Sequence, residues 1–272
     1  MDDRDYGGGS SCLQSSSGCS AASGCMDRDY GGGSSCPRVQ LRLLGGFGLT
    51  VKGRQIALPL STQRVLVALA LRTQEQDRTA LGEMLYPDGR RTQALASVRS
   101  ALWRAKREAG DALVDARGQR LRLAEDVEVD LQRWMDRARI LTSQPLMDPA
   151  VDCSDLVETL SQELLPSWRN EDWLVLERQR WDLLRLHALE QLAERFAADG
   201  RYVDALEAGL AAVAIEPYRE SAHRAVIRAH IAEGNSASAL AQYHRCQRLL
   251  TRELGVRPTA QLQALVQGLT GE

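Results

Sequence analysis

The stretches GRYVDALEAGLAAVAIEP (200–217) and GNSASALAQYHRCQRLLTRELGVRP (234–258) decide the fold of the C-terminal half of this chain. Glycine recurs after 34 residues, at Gly200 and Gly234, and an Ala-Leu pair follows each glycine at the same distance. A period of 34 residues is typical of an array of helix pairs, in which each pair covers the apolar face of its neighbour. The sequence therefore predicts a helical scaffold for binding other proteins.

Helical patterns extend back from this repeat to Asp155. Residues 155–272 are therefore predicted to be an all-α, tetratricopeptide-like domain. Residues 141–154 contain the helix-breaking stretch SQPLMDP (143–149) and are interpreted as a linker.

The order of patterns in residues 37–140 predicts a second domain. VQLRLLGGFGLTVKGRQIAL (39–58) alternates apolar and polar residues between turn signals, as a small antiparallel sheet does, and Ser61 is the expected N-cap of the helix that follows. Helical patterns then occupy 61–72, 79–89 and 90–110, and LVDARGQRLRL (113–123) is predicted to be a hairpin. A sheet, three helices and a hairpin make up a winged helix-turn-helix, whose third helix enters the major groove of DNA. The predicted fold class is thus mostly α, with small sheets in the N-terminal domain.

Charge is divided unevenly between the two halves. Residues 37–123 contain 16 Lys and Arg against 7 Asp and Glu, a net charge of +9. Because the whole chain carries −2, the rest of it carries −11. This asymmetry indicates an anionic partner for the N-terminal half, and the alternative is a solvated, arginine-rich face.

The third helix supplies the candidate DNA contacts. Its apolar stripe is predicted to be Leu95, Val98, Leu102 and Ala105, with Trp103 packed under the wing. Because small side chains permit close approach and arginine pairs with guanine, base contacts are assigned to Ser97, Arg99, Ser100 and Arg104. Phosphate contacts are assigned to Arg90, Arg91, Lys106 and Arg107 around the helix and to Arg117 and Arg120 on the hairpin, where Arg122 adds charge.

Residues 1–36 are predicted to be a disordered, low-complexity tail, because they are rich in Gly and Ser and nearly repeat MDDRDYGGGSSC from Met26. Four of the six cysteines lie there without the CxxC spacing of a zinc site, although a metal or redox site in the tail stays an alternative. Cys246 occupies a small-residue position of the repeat and is predicted to be a buried thiol.

No pattern indicates catalysis, a cofactor or a metal. The four histidines have no Cys or acid at ligand spacing, so the chain is not expected to be an enzyme. No apolar run approaches the roughly 18 residues of a membrane span, and the N-terminus lacks an apolar signal region. These features predict a cytoplasmic protein without membrane contact, and the predicted winged helix adds the expectation that it associates with the nucleoid.

The chain resembles the bacterial activators of the Streptomyces antibiotic regulatory protein type, which join an OmpR-like winged helix to a bacterial transcriptional activator domain. The resemblance covers about residues 39–268 and is carried by LGEMLYPDG (81–89), SVRSALWRAKREAG (97–110), DWLVLERQRW (172–181) and LTRELGVRPTAQL (250–262). No GxxxxGK[ST] loop is present, so it resembles the short members, without the nucleotide-binding module of the long ones.

The resemblance implies a function and partners. It implies binding to direct repeats in promoter DNA. Two protomers bound side by side on such repeats would form a homodimer on the DNA. It also implies recruitment of RNA polymerase holoenzyme through its sigma factor and alpha subunit, and activation of a secondary-metabolite gene cluster. The alternative is a tetratricopeptide adaptor whose winged helix binds protein rather than DNA.

Overall fold

The computed structural model describes residues 39–110, 113–143 and 154–269. The predicted tail, its four cysteines and most of the predicted linker lie outside these residues. In chain order the N-terminal half contains β1 (Val39–Arg42), β2 (Gly48–Val51), β3 (Arg54–Gln55), α1 (Leu60–Ala70), β4 (Gln76–Asp77), α2 (Arg78–Leu85), α3 (Arg91–Ala109), β5 (Val114–Arg117), β6 (Arg120–Leu123), β7 (Val127–Val129) and α4 (Asp130–Ser143). The predicted order of sheet, three helices and hairpin is confirmed.

A four-stranded sheet opens the fold, in the order β3-β2-β1-β7. The alternation in β1 buries Val39 and Leu41, while the side chains between them face outward. Lys52 and Gly53 both adopt positive φ, at 49° and 77°, which is the backbone that a tight hairpin turn requires. Strand β7 pairs with β1 in parallel, with Val39 opposite Val127.

The second sheet, in the order β4-β6-β5, forms the wing. Strands β5 and β6 are antiparallel and place Arg117 opposite Arg120, on either side of the turn at Gly118. Strand β4 ends at Asp77, whose carboxylate caps α2 by accepting from the backbone N–H of Thr79 (2.9 Å) and Ala80 (3.1 Å). These backbone hydrogen bonds, from Ala80 first, lower the pKa of Asp77.

The expected N-cap of α1 at Ser61 is wrong. Pro59 occupies the cap position, with φ −61° and ψ 148°, and the helix begins at Leu60. The fixed φ of proline starts the helix without a side-chain cap, so Ser61 lies inside the first turn.

The C-terminal half is entirely helical in the residues described. Its elements are α5 (Ser154–Leu160), a 3-10 turn (Asp172–Leu174), α6 (Val175–Ala198), α7 (Tyr202–Ile215), α8 (Glu220–Glu233), α9 (Ser236–Leu249), a π-turn (Leu250–Leu254) and α10 (Ala260–Gln267). The repeat is confirmed, because Gly200 and Gly234 both lie in turns with positive φ, at 75° and 84°. Ala205 and Ala239 are both fully buried where the helices cross.

Cys246 is buried as expected, and burial raises its pKa to about 11. It belongs to a small apolar cluster at the end of the array, whose members are Ile227, Ala239, Cys246, Leu250, Leu262 and Val266.

One hydrophobic core continues from the first sheet into the helical half. The segment before α6 adds backbone contacts to the loop after β1, since Gly45 N–H donates to Glu163 O (2.9 Å) and Leu165 N–H donates to Leu43 O (3.0 Å). Phe47 stacks on Trp168 with ring centroids 6.4 Å apart.

Helix α4 completes the junction. Its first residue, Asp130, accepts from the backbone N–H of Leu43 (2.8 Å) and Leu44 (3.1 Å), and also from that of Leu131 (2.6 Å). Burial raises the pKa of the Asp130 carboxyl in spite of these donors. Toward the other end of α4, Leu141 O accepts from Arg195 of α6 (2.8 Å). The described residues therefore form one compact unit, and the boundary between two domains stays a prediction.

Candidate nucleic-acid interface

Helix α3 docks on the N-terminal half through small residues. Its buried positions are Ala94, Val98, Ala101, Ala105 and Ala109. Of the predicted stripe, Val98 and Ala105 are buried, whereas Leu95 and Leu102 are only partly covered. Alanine permits α3 to lie close to α2, where a Cβ atom added at Gly82 would lie 3.5 Å from Ala94.

Because α3 docks through these residues, its exposed face differs in part from the predicted one. Arg99 and Ser100 are exposed as expected, whereas Ser97 and Arg104 lie half-buried at the flank. Arg104 points toward α1, where its Nη1 lies 3.4 Å from Ser61 Oγ. The four predicted base-contact residues thus divide into two at the surface and two that are half-buried, of which Arg104 points toward α1.

Trp103 does not pack under the wing. Its side chain is 60% exposed, which makes it the most exposed large apolar side chain described before residue 144. The guanidinium of Arg107, one turn later, lies over the indole at 4.8 Å from the ring centroid. The prediction was wrong because it took Leu102 as the docking residue, and docking through Ala101 and Ala105 turns Trp103 outward.

The predicted phosphate-contact residues occupy both ends of α3 and the wing. Arg90 and Lys106 are exposed beside the helix, and Arg91 is exposed although its Nε lies 3.3 Å from Glu83. The side chains of Arg117 and Arg120 are exposed next to the wing turn and make no hydrogen bond or ion pair within the described ranges, although the charge of Arg120 helps to lower the pKa of Asp77.

Arg122 differs from its neighbours on the wing. Its guanidinium is held by Asp115 (3.0 Å) and Glu125 (3.1 Å), so its charge is compensated inside the wing. The hydrogen bond with Asp115 raises the pKa of Arg122.

A groove of about 380 Å³ separates α3 from strand β5 of the wing. Its lining includes the indole of Trp103 and the cationic side chains of Arg78, Arg99 and Lys106. Asp115 is the acidic side chain among its lining residues. The groove therefore places positive charge between the helix and the wing, where the backbone of a bound duplex would run.

The exposed face of α3 could have been predicted from the sequence. Ala94, Val98, Ala101 and Ala105 follow one another at intervals of four, three and four, which is the spacing of a single helix face. Treating alanine as a core residue at that spacing indicates Ala96, Ser100 and Trp103 as the outward residues.

One histidine of the helical half, His223, serves its packing. His223 is fully buried, with Nε2 2.9 Å from Pro217 O and Nδ1 2.9 Å from the Gln242 amide nitrogen. Since a carbonyl only accepts, Nε2 carries the proton and Nδ1 accepts, and burial lowers the pKa of the ring. Within residues 39–110, 113–143 and 154–269 no group of His, Cys, Asp and Glu has metal-binding geometry, and no helix is long and apolar enough to cross a membrane.

Comparisons with known proteins agree with this architecture. Residues 155–270 match the family described as bacterial transcriptional activator domain. The transcriptional regulatory protein MoaR1 of Mycobacterium tuberculosis is 24% identical over 241 residues, which are 84% of this chain and 78% of that protein. The regulatory protein AfsR of Streptomyces coelicolor is 28% identical over 226 residues, 79% of this chain but 22% of AfsR.

A solved structure shares the fold. Mycobacterium tuberculosis EmbR, in complex with a low affinity phosphopeptide, superposes with a TM-score of 0.66 at 20% identity. The match covers 85% of this chain and 64% of the EmbR chain. At this identity the likeness concerns the fold alone.

Together with relatives that are regulatory proteins, a winged helix joined to an array of helix pairs indicates a transcriptional regulator. More narrowly, the helical half matches the bacterial transcriptional activator domain, and the chain resembles regulators of the Streptomyces antibiotic regulatory protein type over most of its length.

Proposed function

We propose that this protein is a sequence-specific DNA-binding transcriptional activator. Helix α3 enters the major groove, and the wing follows the phosphate backbone. The observation that carries the proposal is the exposed face of α3 with Arg99 and Ser100, adjoined by the exposed Arg117 and Arg120 of the wing. The surplus of positive charge in residues 37–123 supports it, because a polyanion binds such a surface by releasing counterions.

Two kinds of contact follow from the positions of the side chains. Arg99 and Ser100 contact base edges, while Ser97 and Arg104 reach DNA at the flank of the helix. The phosphate contacts come from a larger set, namely Arg90, Arg91, Lys106, Arg107, Arg117 and Arg120. The acidic helical half contacts protein, as its stacked helix pairs suit.

The wider role follows from the family. We propose that the protein binds direct repeats in promoters, as a homodimer on the DNA, and recruits RNA polymerase holoenzyme through its sigma factor and alpha subunit. Its target is a secondary-metabolite gene cluster. It acts in the cytoplasm at the nucleoid, and it is neither an enzyme nor dependent on a cofactor.

A mobility-shift titration tests the DNA interface. The operator is first selected from random duplexes with the full chain. Arg99→Ala is expected to weaken operator binding by about 1–3 kcal/mol. Lys106→Ala is expected to weaken all duplexes alike and to reduce the salt slope by about one unit.

Arg252→Ala is the matched control, because Arg252 is a strongly exposed arginine in the helical half. Its affinity for the operator should equal that of the unmodified chain. If Arg99→Ala and Arg104→Ala both bind the operator like the unmodified chain, α3 does not read the bases. If the full chain shows no salt-dependent retention on heparin or duplex DNA, the adaptor alternative replaces the proposal.

A further inference from the structure

The exposure of the Trp103 side chain is not explained by the packing of the protein. The docking face of α3 lies opposite, and the indole is exposed over more than half of its surface. An aromatic side chain contributes to stability by burying 150–250 Å², so an indole left in water forgoes most of that contribution. Its position at the outward centre of α3 therefore points to a ligand rather than to the core.

The ring packs against charged neighbours. Arg107 covers it at 4.8 Å, and Arg107 itself is tied to Glu108, with Nε 2.9 Å from Oε1. On the wing side the indole lines the groove beside Arg99 and Lys106. A ring that is held by its neighbours loses little conformational entropy on binding.

The neighbours leave the indole room to approach DNA. Ser100 lies one turn before Trp103 on the same face, and Ala96 lies one turn before Ser100. Both are exposed and small, so the indole is the bulkiest group on this part of the helix. When α3 lies in the major groove, Trp103 protrudes toward the base edges.

The chemistry of the major groove indicates what the indole meets there. The groove presents hydrogen-bond donors and acceptors, and its one apolar group is the 5-methyl of thymine. The faces and carbon edges of the indole are apolar and complement that methyl group, and the ring's one polar group, Nε1–H, can pair with only a single acceptor. We propose that Trp103 contacts a thymine methyl group and thereby selects thymine at that position. This inference rests on the proposed function, because it requires α3 in the major groove.

Replacement of thymine by deoxyuracil in the selected operator tests the contact directly. Each replacement removes one methyl group and keeps the base pair. The unmodified chain is expected to bind at least one such duplex about fourfold more weakly, the change for one buried methyl group. For Trp103→Ala, the thymine and deoxyuracil duplexes should bind equally, whereas Trp103→Phe should retain part of the difference.

Trp134→Ala is the matched control, because Trp134 of α4 also has an arginine guanidinium near its ring, Arg137 at 5.6 Å. It should keep the full sensitivity to deoxyuracil, and thermal melting of each variant verifies its fold. Sensitivity that persists in Trp103→Ala overturns the inference. If the unmodified chain binds the operator specifically but no deoxyuracil replacement weakens that binding, the inference is wrong and the proposed function stands. If no specific binding is found at all, the proposed function is wrong as well.

Discussion

The crossing of α7 and α8 leaves no room for a methyl group at Gly209. A Cβ atom there would lie 2.8 Å from Val226 Cγ2 and 3.4 Å from Val226 N. Val226 cannot rotate away easily, since a β-branched side chain has one preferred rotamer in a helix. Gly209→Ala therefore overpacks the crossing at a cost of about 1–3 kcal/mol, offset by the gain of about 1 kcal/mol when alanine replaces glycine in a helix. We expect a net loss of about 1 kcal/mol, or about 2–4 °C in Tm.

Gly82 provides the matched comparison. It is also a buried helical glycine, but a Cβ atom there would lie 3.5 Å from Ala94, at ordinary van der Waals distance. Gly82→Ala should gain up to about 1 kcal/mol from helix propensity without overpacking. Thermal and urea unfolding of both variants, with far-UV circular dichroism, measures the difference. If Gly209→Ala is as stable as Gly82→Ala, helices α7 and α8 do not approach as closely as described.

Three other perturbations have expected outcomes. Asp130→Asn replaces one acceptor oxygen by a donor opposite Leu43 or Leu44, so urea unfolding should show a loss of about 1–3 kcal/mol, while the exposed Asp126→Asn changes little. Because burial lowers the pKa of His223, the unfolded chain takes up a proton below about pH 6.5 before the folded one does. The unfolding free energy should therefore fall as the pH drops from 6.5 to 5, and a pH series of denaturation curves should be flatter for His223→Gln. Ala239→Phe overpacks the cluster at the end of the array by about 1–3 kcal/mol, so in gel-shift and purified transcription assays it should bind the operator but lose activation.

The features found from the sequence depend on local spacing. The 34-residue period alone locates the turns at Gly200 and Gly234 and the buried alanines after them, because each repeat is one local unit. The turn at Lys52 and Gly53 was likewise readable from adjacent residues.

The features missed depend on residues far apart in the chain. The parallel pairing of Val39 with Val127 and the bond between Leu43 and Leu165 join segments about 90 and 120 residues apart. Nothing in the three residues of β7 identifies the strand with which they pair. The error for Trp103 arose because the buried face of α3 was placed around its leucines rather than its alanines. This choice rotates the predicted buried face about the helix axis.

The core shared by the first sheet and the helical half has a geometric consequence on a promoter. If α3 binds DNA as proposed, a surface of α7 or α9 lies at a set angle around the axis of that DNA, because the described residues form one compact unit with a continuous core. Moving the operator by about five base pairs, half a helical turn, carries that surface to the opposite side of the duplex, and moving it by ten restores it. Activation should thus oscillate with the helical repeat of DNA as the spacing to the promoter changes.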